Sequence, residues 1–192
     1  MSPGVGRAVP AAVRAALGVA AGMGFGSSCS EGTGRLLATL AASRADGLIG
    51  ESGTGCGAGS AWLASGLGRA GRLVTVEAVA DRSAAARRVL SADPRIRVLA
   101  GDWTLLAEHG PFDLFFCDGG GKRSDPQAVI DLVAPGGILV MDDFTPSTGW
   151  PPLHDGEPDL LRIRYLCAPE LVAAEVAVSP HETCIVATRR RS

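Results

Sequence analysis

Residues 48–60, Leu-Ile-Gly-Glu-Ser-Gly-Thr-Gly-Cys-Gly-Ala-Gly-Ser, constrain this chain more than any other stretch. An apolar run ends in the acid Glu51 and breaks into alternating glycines, Gly53, Gly55 and Gly57. Apolar residues at helical spacing follow, at Ala61, Trp62, Leu63 and Leu67. The pattern predicts strand, tight loop, helix. Backbone amides at such a helix N-terminus form a cup for an electron-rich ligand. Glycines serve there because side chains would block the ligand and because the loop visits positive φ.

With 192 residues the chain is expected to form one domain with a sizeable core. Eighteen basic against twenty acidic residues leave no footprint for nucleic acid or an anionic membrane. The basic tail Arg189-Arg190-Arg191 reads as solvated. No apolar run is long enough to span a bilayer. The N-terminal stretch around Arg7 and Arg14 is broken by Pro10 and Gly18, unlike a signal peptide. The five cysteines (Cys29, Cys56, Cys117, Cys167 and Cys184) are odd in number and contain no Cys-x-x-Cys pair. That argues against a zinc site or disulfide framework and for a reducing cytoplasm.

In order, the spacing predicts a short helix over 9–19, a glycine-rich joint over 22–28 and a helix from Glu31. Strands follow at 48–51, 73–77, 96–100, 112–117 and 138–141. Between the later strands come a helix over 84–92 capped by Asp81 or Ser83, a short helix after Trp103, and a helix over 126–132. Each strand ends at or beside an acid. Residues 145–159 read as a loop and 159–166 as a short helix. The β-rich runs 171–178 and 183–187 read as a terminal hairpin. Alternation of this kind predicts an α/β fold: a Rossmann-like, doubly wound, mostly parallel seven-stranded sheet with a C-terminal antiparallel hairpin. Ligands of such sheets bind at the carboxyl ends of the strands, where the acids recur.

The ligand is open at this point. Gly53-Thr54-Gly55-Cys56-Gly57-Ala58 fits a variant of the dinucleotide fingerprint, with Glu77 at the distance expected of a ribose-binding acid. A P-loop fails, because Arg123 stands where Gly119-Gly120-Gly121-Lys122 would need Ser or Thr. A nucleophile elbow fails, because Thr54 replaces its second glycine. The three histidines show no metal-ligand spacing.

A family resemblance narrows the choice. Residues 51–57 resemble the first motif of class I S-adenosylmethionine-dependent methyltransferases. Glu77 resembles their acid for both ribose hydroxyls, Gly101-Asp102-Trp103 their adenine-holding segment, and residues 132–137 their Pro-Gly-Gly turn. The ordered set spans roughly residues 30–188. Ser30 to Leu37 and the run from Gly57 to Ala64 are similar to small bacterial O-methyltransferases of the catechol and caffeoyl-CoA type. The resemblance implies an S-adenosylmethionine-dependent enzyme, methylating oxygen of a small-molecule acceptor. It places the cofactor at Glu51, Gly53, Thr54, Gly55, Gly57, Ser60, Glu77, Ala78, Asp102, Trp103 and Asp118. It implies Mg²⁺ at Asp118, Asp142 and Asp143, although Asp143 stands where the pattern has Asn. Lys122, one residue further from Asp118 than in that pattern, and Asp118 are the expected catalytic residues; without metal, Lys122 or His154 would serve as base. Residues 1–30 are expected as a helical lid segment and 31–192 as the cofactor-binding domain, with a homodimer joined through the N-terminal helices. Trp62 is expected in the core, Trp103 near adenine, Trp150 on the acceptor pocket, and Cys56 and Cys117 as packing residues. Two rival readings are a non-catalytic S-adenosylmethionine-binding protein and an NAD(P)-dependent oxidoreductase.

Overall fold

The structure is a computed structural model that describes residues 8–191; residues 1–7 of the expected lid segment, Arg7 among them, and Ser192 lie outside the described residues. In order come α1 (Ala11–Gly22), α2 (Glu31–Ser43), β1 (Leu48–Ser52), α3 (Ala58–Gly66), β2 (Arg72–Glu77), α4 (Ala80–Leu90) and β3 (Ile96–Ala100). A 3-10 turn (Trp103–Glu108) leads to β4 (Phe112–Cys117), α5 (Pro126–Asp131) and β5 (Val133–Phe144). The chain closes with β6 (Leu153–His154), β7 (Glu157–Pro158), α6 (Leu160–Leu166), β8 (Leu171–Ser179) and β9 (Glu182–Arg189). Among the described residues no helix is long and apolar enough to cross a membrane.

The seven-stranded sheet runs β3-β2-β1-β4-β5-β9-β8, with the first five strands parallel and β9 antiparallel to both its neighbours, β5 and β8. This is the doubly wound architecture that the alternation predicted. Successive residues of the central strands feed two cores: Leu114, Phe116 and Val140 pack under one layer of helices, Phe115, Leu139 and Met141 under the other. The chain works outward from β1 to β3, then returns to β4. Between β1 and β4 the loops therefore diverge and leave a crevice at the strand ends.

Local chemistry explains the helices nearest that crevice. Ser30 Oγ accepts from Thr33 N at 3.2 Å and caps α2, whose Glu31 pairs with Arg35 one turn on. Gly34 is required because a Cβ there would run into the Trp62 indole of α3. Trp62 is thus a core residue, as expected. α1 buries Val13, Ala16 and Ala20 against α3 and α4.

Four boundaries differ from expectation. α1 starts after Pro10 and runs to Gly22, because its alanines extend the buried face. α4 starts at Ala80, with neither Asp81 nor Ser83 as cap; Val79 N instead donates to Glu77 Oε1 at 2.9 Å and starts the helix directly after β2. β5 starts at Val133, which pairs with Phe112 across a bulge that absorbs the Pro-Gly-Gly turn. The loop over 145–159 contains the hairpin β6–β7, turning at Asp155 and Gly156 with φ 51 and 86, the signature of a type I′ turn.

Candidate active site

The crevice is a cleft of about 620 Å³, walled by the glycine loop, the strand-end acids, residues 25–30 and the β8–β9 turn. In the loop, Gly53, Gly55 and Gly57 hold φ of 92, 55 and 101. Gly53 also lies against Gly119, whose backbone N a Cβ at Gly53 would meet at 2.7 Å. These two glycines let the β1 and β4 loops close on each other.

Glu77, at the end of β2, is buried, and its carboxylate is heavily bonded. Oε2 accepts from Gly55 N at 2.8 Å. Oε1 accepts from Val79 N at 2.9 Å and from Arg82 Nε and Nη2 at 3.1 and 2.8 Å. A side recess of about 180 Å³ joins Glu77, Ala78, Gly101, Asp102 and Trp103. Asp102 is exposed and caps the 3-10 turn through Thr104 N and Oγ1, which hold its pKa below the ordinary value. Trp103 lies against Gly120 and Gly121, where side chains would collide with its indole. The structure thus gathers Gly53, Glu77, Ala78, Asp102 and Trp103 around one connected space.

Glu51 and Ser60 are sealed beneath the loop, at 1 % and 0 % exposure. Ser60 Oγ donates to Glu51 Oε2, which also accepts from Thr75 Oγ1 at 2.6 Å; Thr75 Oγ1 in turn lies 2.5 Å from Thr54 Oγ1. The Thr54 side chain is therefore engaged inward too. Glu51 Oε1 has no hydrogen-bond partner among the described residues. Burial raises the Glu51 pKa to about 7, against the pull of the two hydroxyls.

The second half of the site is acidic. Asp118, Asp142 and Asp143 bring one oxygen each within 4.8 Å of one another. Asp143 sits at φ 67, which turns it back toward the cleft. Lys122 is 7 % exposed, so it is not the solvated loop lysine that a glycine-rich stretch suggests. Its Nζ lies 3.1 Å from Asp142 O, 3.4 Å from Asp142 Oδ1 and 3.3 Å from Asp143 Oδ2. Its carbonyl accepts from the buried Tyr165 hydroxyl at 2.9 Å.

Burial and the neighbouring Asp142 push the Asp118 pKa up to about 9, with Lys122 opposing. Asp142 is raised too, by burial and Asp143, while Lys122 and a hydrogen bond with Asp118 pull the other way. Burial would lower Lys122, but Asp142 and Asp143 outweigh it and raise the lysine above its ordinary value.

Two expected residues lie elsewhere. Trp150 is 64 % exposed and absent from the cleft wall, and His154 stands exposed on the β6–β7 hairpin beside Asp155. The polar loop that carries them projects outward, because little of it is apolar enough to pack. Cys56 and Cys117 are buried packing residues, as expected; burial raises both thiols, Cys117 to about 11.

Sequence reasoning missed several wall residues. Phe25 lies 4.9 Å from the Arg82 guanidinium, and Cys29, Thr33 and Thr183 complete the polar end of the cleft. Arg162, fully buried, donates to Thr145 O at 2.7 Å and lies 5.1 Å from the Phe144 ring, fixing the chain just after Asp143. None of these has a motif around it; they meet only in the folded chain.

A methyltransferase-domain family model matches residues 51–144, the span from Glu51 to the end of β5. No curated protein sequence matches significantly. Among solved structures, the O-methyltransferase from Bacillus cereus in complex with SAH is 22 % identical, with a TM-score of 0.77 over 97 % of this chain and 94 % of that one. TomG, the O-methyltransferase from Streptomyces achromogenes involved in tomaymycin synthesis, was solved with SAM; it is 21 % identical, with a TM-score of 0.76 over 96 % and 92 %. A methyltransferase from Geobacter sulfurreducens is 20 % identical, with a TM-score of 0.73 over 97 % and 92 %. At these identities the structures speak for the fold. Neither the family model nor these three structures is described as a nicotinamide enzyme or a non-catalytic binding protein.

Proposed function

We propose that this methyltransferase takes its methyl group from S-adenosylmethionine and passes it to an oxygen of a small molecule. The observation that carries this reading is a cleft flanked by two chemically distinct recesses, each sharing lining residues with it. One has Gly53 of the glycine loop, Glu77, Asp102 and Trp103; the other has Asp118, Lys122, Asp142 and Asp143. The likeness to the Bacillus and Streptomyces O-methyltransferases, solved with SAH and SAM, supports the same assignment.

Methyl transfer from a sulfonium is an in-line displacement, so alignment is the main contribution of the protein. In this proposal Glu77 takes the ribose hydroxyls, Asp102 and Trp103 the adenine, and the backbone of Gly53 and Gly55 the methionine end. Glu51, Ser60 and Thr54 act from below, by holding the loop in shape. Residues 25–30 cover the cleft from the N-terminal side. Lys122 carries its proton at neutral pH, so it serves as a positive charge facing the developing oxygen anion and not as the base. The ionised carboxylate of the neighbouring Asp118 and Asp142 is the group placed to take the acceptor's proton.

The donor set also fits a hard divalent cation. Three carboxylate oxygens converge, and their repulsion exceeds what Lys122 alone offsets. Asp118, Asp142 and Asp143 would hold Mg²⁺, which would supply Lewis-acid stabilisation of an oxyanion. Binding is testable without turnover. Millimolar Mg²⁺ is expected to raise the thermal midpoint of the protein by linkage, and D142N/D143N to abolish that rise. An equal rise in both proteins would refute the metal assignment.

A further inference from the structure

We propose that Arg82 sets cofactor affinity by competing with the ribose hydroxyls for Glu77, an inference that rests on S-adenosylmethionine being the ligand. The argument is a count of lone pairs. A vicinal diol binds a carboxylate through both oxygens, one hydroxyl on each. Oε2 of Glu77 has one donor, Gly55 N, and keeps room for another. Oε1 has three: Val79 N and two nitrogens of Arg82. It has no acceptor capacity left for a hydroxyl.

Of these donors, Gly55 N and Val79 N are backbone amides fixed by the loop and by the start of α4. Arg82 is the one that can move: its side chain is 31 % exposed, while Glu77 is 5 % exposed. A ribose that takes both oxygens must therefore displace the guanidinium.

The displaced group keeps a contact of its own. The guanidinium already lies over the Phe25 ring, 4.9 Å from its centre, and that face holds a cation without using Glu77. Phe25 also covers the glycine loop, since a Cβ on Gly55 would meet its Cε1 at 3.0 Å. Arg82 thus links the segment after α1 to the ribose acid, and each ligand that enters exchanges one set of donors on Glu77 for another. The consequence is moderated affinity for cofactor and product alike, which favours release of S-adenosylhomocysteine.

The test is calorimetric titration of S-adenosylhomocysteine into wild type, R82M, R82K, E77Q and E77Q/R82M. A partly exposed ion pair is worth about 0.2–1 kcal/mol, so R82M is expected to bind up to about fivefold more tightly than wild type. R82K, which keeps the charge but loses the fork, should fall between them. In the E77Q background the same change should leave affinity unaltered, because the competition is gone. Binding by R82M equal to or weaker than wild type would overturn the proposal and leave the cofactor assignment standing. A gain from R82M that persists in E77Q would also overturn it, by placing the effect elsewhere. Absence of binding by every protein, wild type included, would remove the cofactor assignment and this inference with it.

Discussion

Glu51 is a buried acid, held by two hydroxyls and with one oxygen unpartnered among the described residues. Its pKa rises from 4.5 to about 7 in the folded chain. Between those values the native state keeps a proton that the unfolded state has lost, so this group makes stability fall as pH rises through that window. The full effect is on the order of 3 kcal/mol. We therefore expect E51Q to gain on wild type between pH 4.5 and 7 in urea denaturation, and to keep the gain above pH 7. A difference between the two proteins that is flat across pH would show that Glu51 does not titrate this way. The acids at the site were legible in the sequence because parallel strands place their ends together; Glu77, Asp118 and Asp142 follow from that rule alone. Which way each acid faces was not legible. Glu51 and Ser60 share the motif with Gly53 yet point under the loop, since strand alternation and the first turn of α3 turn them inward. Arg82 and Phe25, far apart in sequence and without a motif, become visible only once α4 and the segment after α1 meet.

At the scale of elements, the close approach of α2 to α3 depends on Gly34. G34A is expected to cost about 1–3 kcal/mol, read as a lower urea midpoint, because the new methyl must push aside the buried Trp62 indole. A midpoint unchanged from wild type would mean that the two helices can separate freely. G53A should act differently. It strains a position at φ 92 and forces the β1 and β4 loops apart at Gly119, so ligand binding should suffer more than stability. Thermal melts with and without S-adenosylhomocysteine would separate the two effects; a full ligand-induced shift in G53A would contradict the role given to this contact. The five parallel strands were readable from their apolar runs. The early start of α4 was not, because a side chain from β2, not a local cap, nucleates it. The extension of β5 back to Val133 depends on pairing with Phe112, a partner that no local pattern names. The Asp155-Gly156 turn carried a hairpin signal, but its two-residue strands are too short to show periodicity.

At the scale of the molecule, one topological fact organises the function. The return of the chain from β3 to β4 opens the sheet beside β1, and the loops that part there carry the glycine loop and the acidic cluster. The proposed cofactor end was legible because its residues come in a fixed order along the strands. The opposite end was less so: beside Asp142 and Asp143, its polar wall is assembled from the segment after α1 and the β8–β9 turn, neither of which has a sequence signature. The central claim is that this cleft holds a sulfonium cofactor and not a dinucleotide, and calorimetry tests it most directly. Titration with S-adenosylmethionine should give one-site micromolar binding that E77Q weakens, while NADH should give no heat beyond dilution. Binding of NADH, or no binding of S-adenosylmethionine, would contradict the account.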